Sequence, residues 1–205
     1  MGPLNHTLLF GLDYQHVDFL ERAGFGAAPS IDIFKPVYGA SLSLPPPLYQ
    51  DTDQEQQQVG LYLQDQIKLY DKLVLVLGGR YDWAETKTDD QLFNTKTTQD
   101  DEEFTGRAGL VYLSDVGLAP YFSYSESFLP TLGTNAFSEP FKPETGRQYE
   151  VGVKYQPLEI NSFVTLAAFD LRRQNVRATD PGNPNNQVQT GKVRSRRIEL
   201  EGVDG

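Results

Sequence analysis

The sequence predicts an all-β fold, an antiparallel transmembrane β-barrel segment of about eight consecutive strands. Three observations point there. Apolar and polar residues alternate with period two along several stretches, the connections between them alternate between long and short, and aromatic rings bracket the apolar runs. Plentiful Tyr (11), Phe (12) and Gly (18), with a single Met, also lean towards strands.

The strands follow in chain order. A first runs around Thr7–Val17. In Val59–Tyr70, Asp65 falls in register with Val59, Leu61, Leu63 and Ile67. If that face meets lipid, Asp65 must lie near an interface or the strand must bulge. Leu73, Leu75, Leu77, Tyr81 and Trp83 share one face, and Gly78, Arg80 and Asp82 the other. Phe104, Ala108, Leu110 and Tyr112 oppose Thr105, Arg107 and Gly109; Pro120, Phe122 and Tyr124 oppose Tyr121, Ser123 and Ser125. From Tyr149 to Tyr155 every odd position is apolar or aromatic, and every even one polar or glycine. Phe163, Thr165, Ala167, Phe169 and Leu171 form another apolar face, and a strand around Gln187–Val203 completes the set.

The connections Asp18–Gln56, Lys87–Glu103, Leu129–Thr145 and Arg173–Asn186 are long. Those at Tyr70–Leu73, Ser114–Gly117 and Gln156–Asn161 are short. Membrane barrels place short turns at the periplasmic end and long loops outside, whereas a soluble sandwich has no reason to. Tyr149 and Tyr155 bracket Val151 and Val153, and Tyr81 and Trp83 follow Leu73–Leu77, as in an interfacial girdle. The reading is a meander without a Greek key or any helix beyond a loop turn. Tyr149, Val151, Val153 and Tyr155 point outward.

Composition narrows the function. Lys+Arg 18 against Asp+Glu 28 gives a net charge of −10, and no basic stripe compensates, which disfavours nucleic acid. The absence of Cys excludes disulfides, thiolate metal sites and a cysteine nucleophile. With only His6 and His16, a histidine-rich metal site and Ser–His catalysis are poorly supplied. Mean hydropathy is −0.46, with no run of roughly 18 apolar residues, which excludes helical spans but not strands. The N-terminus does not read as a signal peptide and the C-terminus stops on a strand-like run, so a fragment of a longer protein is expected. Gly24-Phe25-Gly26 is too short for a dinucleotide fingerprint, and no phosphate loop, zinc-protease helix or nucleophile elbow is present, so no enzyme is expected.

Specific stretches carry a family resemblance. Pro120-Tyr121-Phe122-Ser123-Tyr124-Ser125-Glu126-Ser127-Phe128 is followed by Lys142-Pro143-Glu144-Thr145-Gly146-Arg147-Gln148-Tyr149-Glu150-Val151-Gly152-Val153-Lys154-Tyr155. Gly60–Gln66, Leu77–Trp83, His6–Tyr14 and Arg194–Gly202 add to them. Together they resemble the barrel of TonB-dependent siderophore receptors, especially the ferrichrome and hydroxamate branch. The resemblance implies an outer-membrane transporter of a Gram-negative bacterium, with about 22 strands, an internal plug and energy from TonB. It also implies that residues 1–205 are part of that barrel domain, without plug or remaining strands. Its partners would be ferric siderophore, outer-membrane lipid and lipopolysaccharide, and TonB through the parent's N-terminal region. No cofactor or metal ligand is implied, since the siderophore itself supplies the oxygen ligands to iron.

On the polar parity, Arg80, Asp82, Arg107, Gln148, Glu150 and Lys154 would line the lumen. Gly78-Gly79 would admit close neighbours, and Pro143-Glu144 would form a register-setting turn. Phe34 and Tyr38, in the long first loop, resemble the family's ligand-mouth segment and are the candidate ligand contacts. The acidic runs around Asp51, Asp89 and Asp100–Glu103 read as solvated loops, with cation bridging to lipopolysaccharide as a second reading. Arg194, Arg196 and Arg197 read as partners of the acidic loops, or of anionic headgroups. A small closed barrel with a structural or adhesive role, a receptor for another ligand and a soluble lipocalin-like binder are the alternatives.

Overall fold

The computed structural model describes residues 3–41, 45–157, 161–189 and 191–204. Its strands are β1 (Leu4–Gly24), β2 (Leu48–Leu69), β3 (Leu73–Asp90), β4 (Thr95–Tyr112), β5 (Leu118–Leu129), β6 (Glu144–Tyr155), β7 (Phe163–Gln174), β8 (Arg177–Asp180), β9 (Asn183–Gln189) and β10 (Lys192–Val203). Eight form one sheet in the order β1-β2-β3-β4-β5-β6-β7-β10, all pairs antiparallel, and β8–β9 is a separate hairpin. There is no helix among the described residues. The meander is as expected. A closed eight-stranded barrel would need β1 against β10, and the described residues contain no such pairing.

Several boundaries differ from the sequence reading. The stretch Lys87–Glu103 is not a long loop: β3 and β4 continue through it to the short connection Gln91–Asn94. There Asp90 Oδ1 accepts from the Leu92 and Phe93 amides, and Asn94 takes φ 50°. Polar threonine- and glutamine-rich strands have no apolar face to betray them, yet they satisfy every backbone group by pairing. For the same reason β1 and β2 run past Asp18 and Gln56, and their loop shrinks to residues 25–47. Gln187–Val203 is two strands, separated at Gly191, whose φ is +47°. Glu144 already belongs to β6, opposite Leu129, rather than to a turn.

The short connections are tight. Tyr70 and Asp71 both take positive φ (49° and 57°), and Lys72 N–H donates to the Leu69 carbonyl at 3.0 Å, a type I′ geometry suited to strand twist. Gly117 (φ +81°) closes the β4–β5 turn, where a Cβ would collide with the Gln156 carbonyl. The Gln156–Asn161 connection lies partly outside the described residues.

The two faces are inverted relative to a soluble domain. Phe10 (80% exposed), Leu61, Phe104, Val151 and Leu200 lie open on one face. On the other, Thr52, Gln54 and Asp82 (2%) are buried. The registers place Tyr81, Trp83, Phe122, Tyr149 and Val153 on the apolar face, as expected. The β7 assignment is overturned. Phe169 stands opposite Glu150, Thr165 opposite Lys154 and Leu171 opposite Gln148, so the Phe163 set shares the polar face. Val164, Leu166 and Ala168 occupy the apolar one. Both parities of β7 are apolar, so periodicity alone had no contrast to read.

Candidate functional site

The polar face carries the candidate site. Asp13, Gly60 and Asp82 stand in one cross-strand row of β1, β2 and β3. From β3, Arg80 reaches over Gly60 to Asp13, with Nη1–Oδ2 2.5 Å and Nη2–Oδ1 2.9 Å, and also binds Asp82 at 2.6 and 2.7 Å. A Cβ at Gly60 would occupy the guanidinium's place, so the glycine is what lets the charge cross a strand. Gln58 Nε2 donates to Asp82 at 2.7 Å, which completes the partners of a carboxylate whose side chain is 3% exposed. A buried carboxylate needs such a set, because unpaired burial of charge is costly.

Arg107 donates to Gln64 Oε1 and lies over Gly78, whose added Cβ would meet it at 3.0 Å; Gly79, on the apolar face, admits the Phe104 ring. On β6, Glu150 accepts from Gln148 at 2.9 Å and from the Tyr121 hydroxyl at 2.7 Å, while Lys154 Nζ sits 3.9 Å from the Phe163 ring centroid. The six residues expected at the lumen thus share one face. They form two separate clusters, Arg80–Asp82 and Gln148–Glu150, with Arg107 and Lys154 apart. Asp13, Gln58 and Tyr121 were not expected as members; the partners across the sheet become visible only once register is known.

At the loop end, residues 130–143 fold back over the polar face. The Gly133 amide donates to Gln54 Oε1 at 2.5 Å, Ser138 Oγ to Asp90 at 2.6 Å and Gln99 Nε2 to the Phe141 carbonyl at 3.1 Å. Arg177 of β8 holds the Leu132 carbonyl at 2.9 Å and stands over the Phe141 ring, one of the few buried apolar side chains. A cavity of about 270 Å³ results, lined by Glu21, Tyr49, Asp90, Phe93, Thr134, Phe141 and Arg177 among others. Phe34 and Tyr38 are not in that lining. They stand 87% and 81% exposed in the 25–47 loop, where Asp32 Oδ1 accepts from the Phe34 and Lys35 amides.

Charge at the margins is locally balanced. Asp101, beyond the apolar band, is pushed up chiefly by burial, opposed by its hydrogen bond from Gln99 and reinforced by Asp100. Lys72, in a short turn, is raised by its 2.6 Å hydrogen bond to Asp115. On the apolar face Asp65 meets neither lipid alone nor a bulge: both its registers are continuous, and its Oδ2 lies 2.8 Å from His6 Nδ1. Tyr81–Trp83 and Tyr124–Tyr149 pack with ring centroids 4.6 and 4.8 Å apart. Arg194 and Arg196 bind Asp170 rather than the acidic loops.

A sheet with bare leucines and phenylalanines on one side, glutamines and aspartates packed on the other, and its long loops, residues 25–47 and 130–143, at one end only is a wall of an outer-membrane β-barrel. Residues 1–204 match the family model described as TonB dependent receptor-like, beta-barrel, and the chain belongs to that family of outer-membrane receptors, which are not enzymes. It is 38% identical to the ferrichrome outer membrane transporter/phage receptor of Escherichia coli (strain K12), over 98% of this chain and 28% of that protein. Identity to the ferrioxamine B receptor of Salmonella typhimurium (strain LT2) is 37%, again over 98% and 28%. The ferric-catecholate import receptor Fiu of K12 E. coli shares the fold, with a TM-score of 0.73 and 17% identity over all of this chain and 33% of that structure. The chain therefore spans under a third of these proteins.

Proposed function

We propose that residues 1–205 form part of the barrel domain of a TonB-dependent transporter that binds a ferric siderophore at the cell surface and imports it into the periplasm. The observation that carries this reading is the 37–38% identity, over 98% of the chain, to receptors for ferrichrome and ferrioxamine B. The geometry agrees with it. A lumenal wall fixed by Arg80, Asp13 and Asp82 is a rigid polar surface against which a plug can seat. The aromatic and polar mouth suits a ligand that presents both oxygen atoms and carbon backbone.

In this reading the full-length receptor supplies a plug inside the barrel and an N-terminal segment that engages TonB, while outer-membrane lipid and lipopolysaccharide surround the apolar face. Iron enters only as the siderophore's cargo, and the protein holds no cofactor. Phe34 and Tyr38 contribute aromatic contacts to the ligand from the 25–47 loop. Arg107, Glu150 and Lys154 present further charge to the lumen, and Gln148 an uncharged amide. The test is uptake of radiolabelled iron by a receptor-deficient strain given the full-length gene, with ferrichrome and ferrioxamine B in separate arms. TonB-dependent uptake of either supports the reading; uptake of neither, from a receptor verified in the outer membrane, overturns it.

A further inference from the structure

Strand β4 pairs with β3 along its whole length, Thr95–Tyr112, but with β5 only from Arg107 to Val111. Above that point the two strands part. β5 stays with β6 as far as Leu129 opposite Glu144, and β4 follows β3 to its loop end. The neighbours of β4 on both sides lie within the chain, so the opening belongs to the wall and not to the ends of the segment. The alternation of backbone groups along a strand settles what it leaves bare. Leu113 N–H, just past β4, donates to the Lys72 carbonyl at 2.6 Å, so odd-numbered residues serve β3. Even-numbered ones face β5, where the Gly106 amide donates to Glu126 Oε2 at 2.9 Å. Beyond Gly106, the amides and carbonyls of Thr98, Asp100, Glu102 and Phe104 have no partner on that side among the described residues.

A bare edge is normally blunted by proline, a bulge or a lysine. This one has no proline, and its register with β3 is continuous; Lys96, its one lysine, is tied to Asp89 at 2.6 Å. Its free charge is of a single sign. Asp100 and Glu102 flank the bare groups on the outer side, Asp101 and Glu103 on the lumenal side. Lys87, across the pair, is held by Glu85 at 2.7 Å, and Asp100, Glu102 and Glu103 have no salt bridge among the described residues. Like charges opposed across strands disfavour pairing of this edge with the same edge of a second copy. A strand of opposite charge meets no such obstacle. Beside the edge lies a groove of about 460 Å³, lined by Tyr14, Val59, Trp83, Glu85, Asp100 and Glu102 among others. An aromatic face next to carboxylates suits a lysine or arginine side chain. Glu102 stands opposite Trp83 at the girdle, so the edge rises from there towards the cell exterior.

We infer that the β4 edge from Thr98 to Phe104 is a docking site for a basic, extended segment of another protein at the cell surface, which adds to the wall as an extra strand. Main-chain hydrogen bonds to Thr98, Asp100, Glu102 and Phe104 hold the segment, and the carboxylates on either side select its charge. Alternate side chains of the added strand fall on the outer side, where the Trp83 groove receives a lysine or arginine. The inference rests on the outer-membrane placement of the sheet and is independent of which ligand is transported, which the uptake assay reports separately.

The test uses the full-length receptor in phosphatidylcholine nanodiscs and a fluorescent synthetic peptide of alternating lysine and threonine, with anisotropy as readout. The comparison peptides are the same sequence N-methylated at every residue, and one of alternating glutamate and threonine. The lysine–threonine peptide should bind at least about tenfold more tightly than either, because the first cannot donate to the edge and the second carries the wrong charge. Glu102→Pro should abolish binding and leave the wall folded, since the ring fills the open side and takes no N–H from the β3 ladder. Retained heat-modifiable gel mobility verifies the fold, and Thr98→Pro replaces Glu102→Pro should the latter fail to fold. Joint replacement of Asp100 by Asn and Glu102 by Gln should weaken binding about fivefold. Binding of the N-methylated peptide as tight as that of the unmethylated one overturns the inference. So does undiminished binding to a folded proline variant, or self-association of the receptor that the proline variant abolishes.

Discussion

The two halves of the sheet solve the same problem differently. Strands β1–β4 are 21, 22, 18 and 18 residues long and carry their hydrogen-bond ladder far past the apolar band. Strands β5, β6, β7 and β10 are 12 residues each and give way to loops that fold back across the polar face. Within the band both halves turn apolar residues outward, because lipid leaves no alternative, and only β7 also turns an apolar set, Phe163, Ala167, Phe169 and Leu171, inward. Beyond it, the first half satisfies its backbone by pairing in water, and the second by clasping Gln54, Asp90 and Gln99 of the first. The tall half is the scaffold and the short half the cover.

The largest effect expected concerns the sheet's edges. Expressed alone, residues 1–205 should restore no siderophore uptake to receptor-deficient cells, since β1 and β10 would expose unpaired backbone groups in lipid. Measurable ferric-siderophore uptake by this segment would break the view that both halves are wall rather than channel. The second is an inversion of environment. Spin labels at Val151 and Glu150 of the full-length receptor should contact lipid and water respectively; the reverse would put the short half the wrong way round.

Third, Arg80→Leu should destabilise the barrel by about 3 kcal/mol, because it strands the buried Asp82 beside Asp13. Arg196→Leu, which removes one exposed partner of Asp170, should cost under about 1 kcal/mol. The temperature at which the barrel loses its heat-modifiable gel mobility measures both, and equal shifts would erase the distinction between the halves. Fourth, joint replacement of Phe34 and Tyr38 by Ala should weaken ferric-siderophore binding about tenfold, each ring contact contributing about 1 kcal/mol. Unchanged affinity removes both from the site; lost affinity with new protease cleavage of the 25–47 loop makes them structural. Last, Gln54→Ala should loosen the cover by about 1 kcal/mol, seen as faster proteolysis at residues 130–141 with little change in global stability.

Much of this was legible in the sequence where lipid imposes contrast. Tyr149–Tyr155 and Leu73–Trp83 could be assigned face by face, because one side had to be apolar. Legibility ended where both sides of a strand carry the same kind of residue. In Thr86–Asp90 and Thr95–Gln99 both sides are polar, so no period appears and a strand reads as a loop, although Thr86, Thr88 and Asp90 are buried on one side. In Phe163–Leu171 apolar residues occupy both parities, and only pairing with Glu150 and Lys154 chooses between them. The lumenal residues were legible by parity, but their partnerships were not: Asp13 and Arg80 lie 67 positions apart, and only β2, paired between their strands, brings them together. Phe34 and Tyr38 rest on resemblance alone and stay outside the mouth cavity.

The continued pairing of β1–β4 has a consequence for what can approach the mouth. Past Trp83, β3 runs on from Ala84 to Asp90, so at strand rise this side stands roughly 20 Å above the bilayer. The cover of the shorter half leans against the lumenal side of that crest, where Ser138 binds Asp90 and the Gly133 amide binds Gln54. A small chelate can slip between the two, but a folded protein such as an antibody fragment meets the crest first. Quenching of a fluorophore at Thr97 and another at Ser138 by a protein-sized quencher, compared with iodide, reads that difference directly. Iodide should reach both labels, and the bulky quencher should strike the exposed Thr97 far more often than the half-buried Ser138.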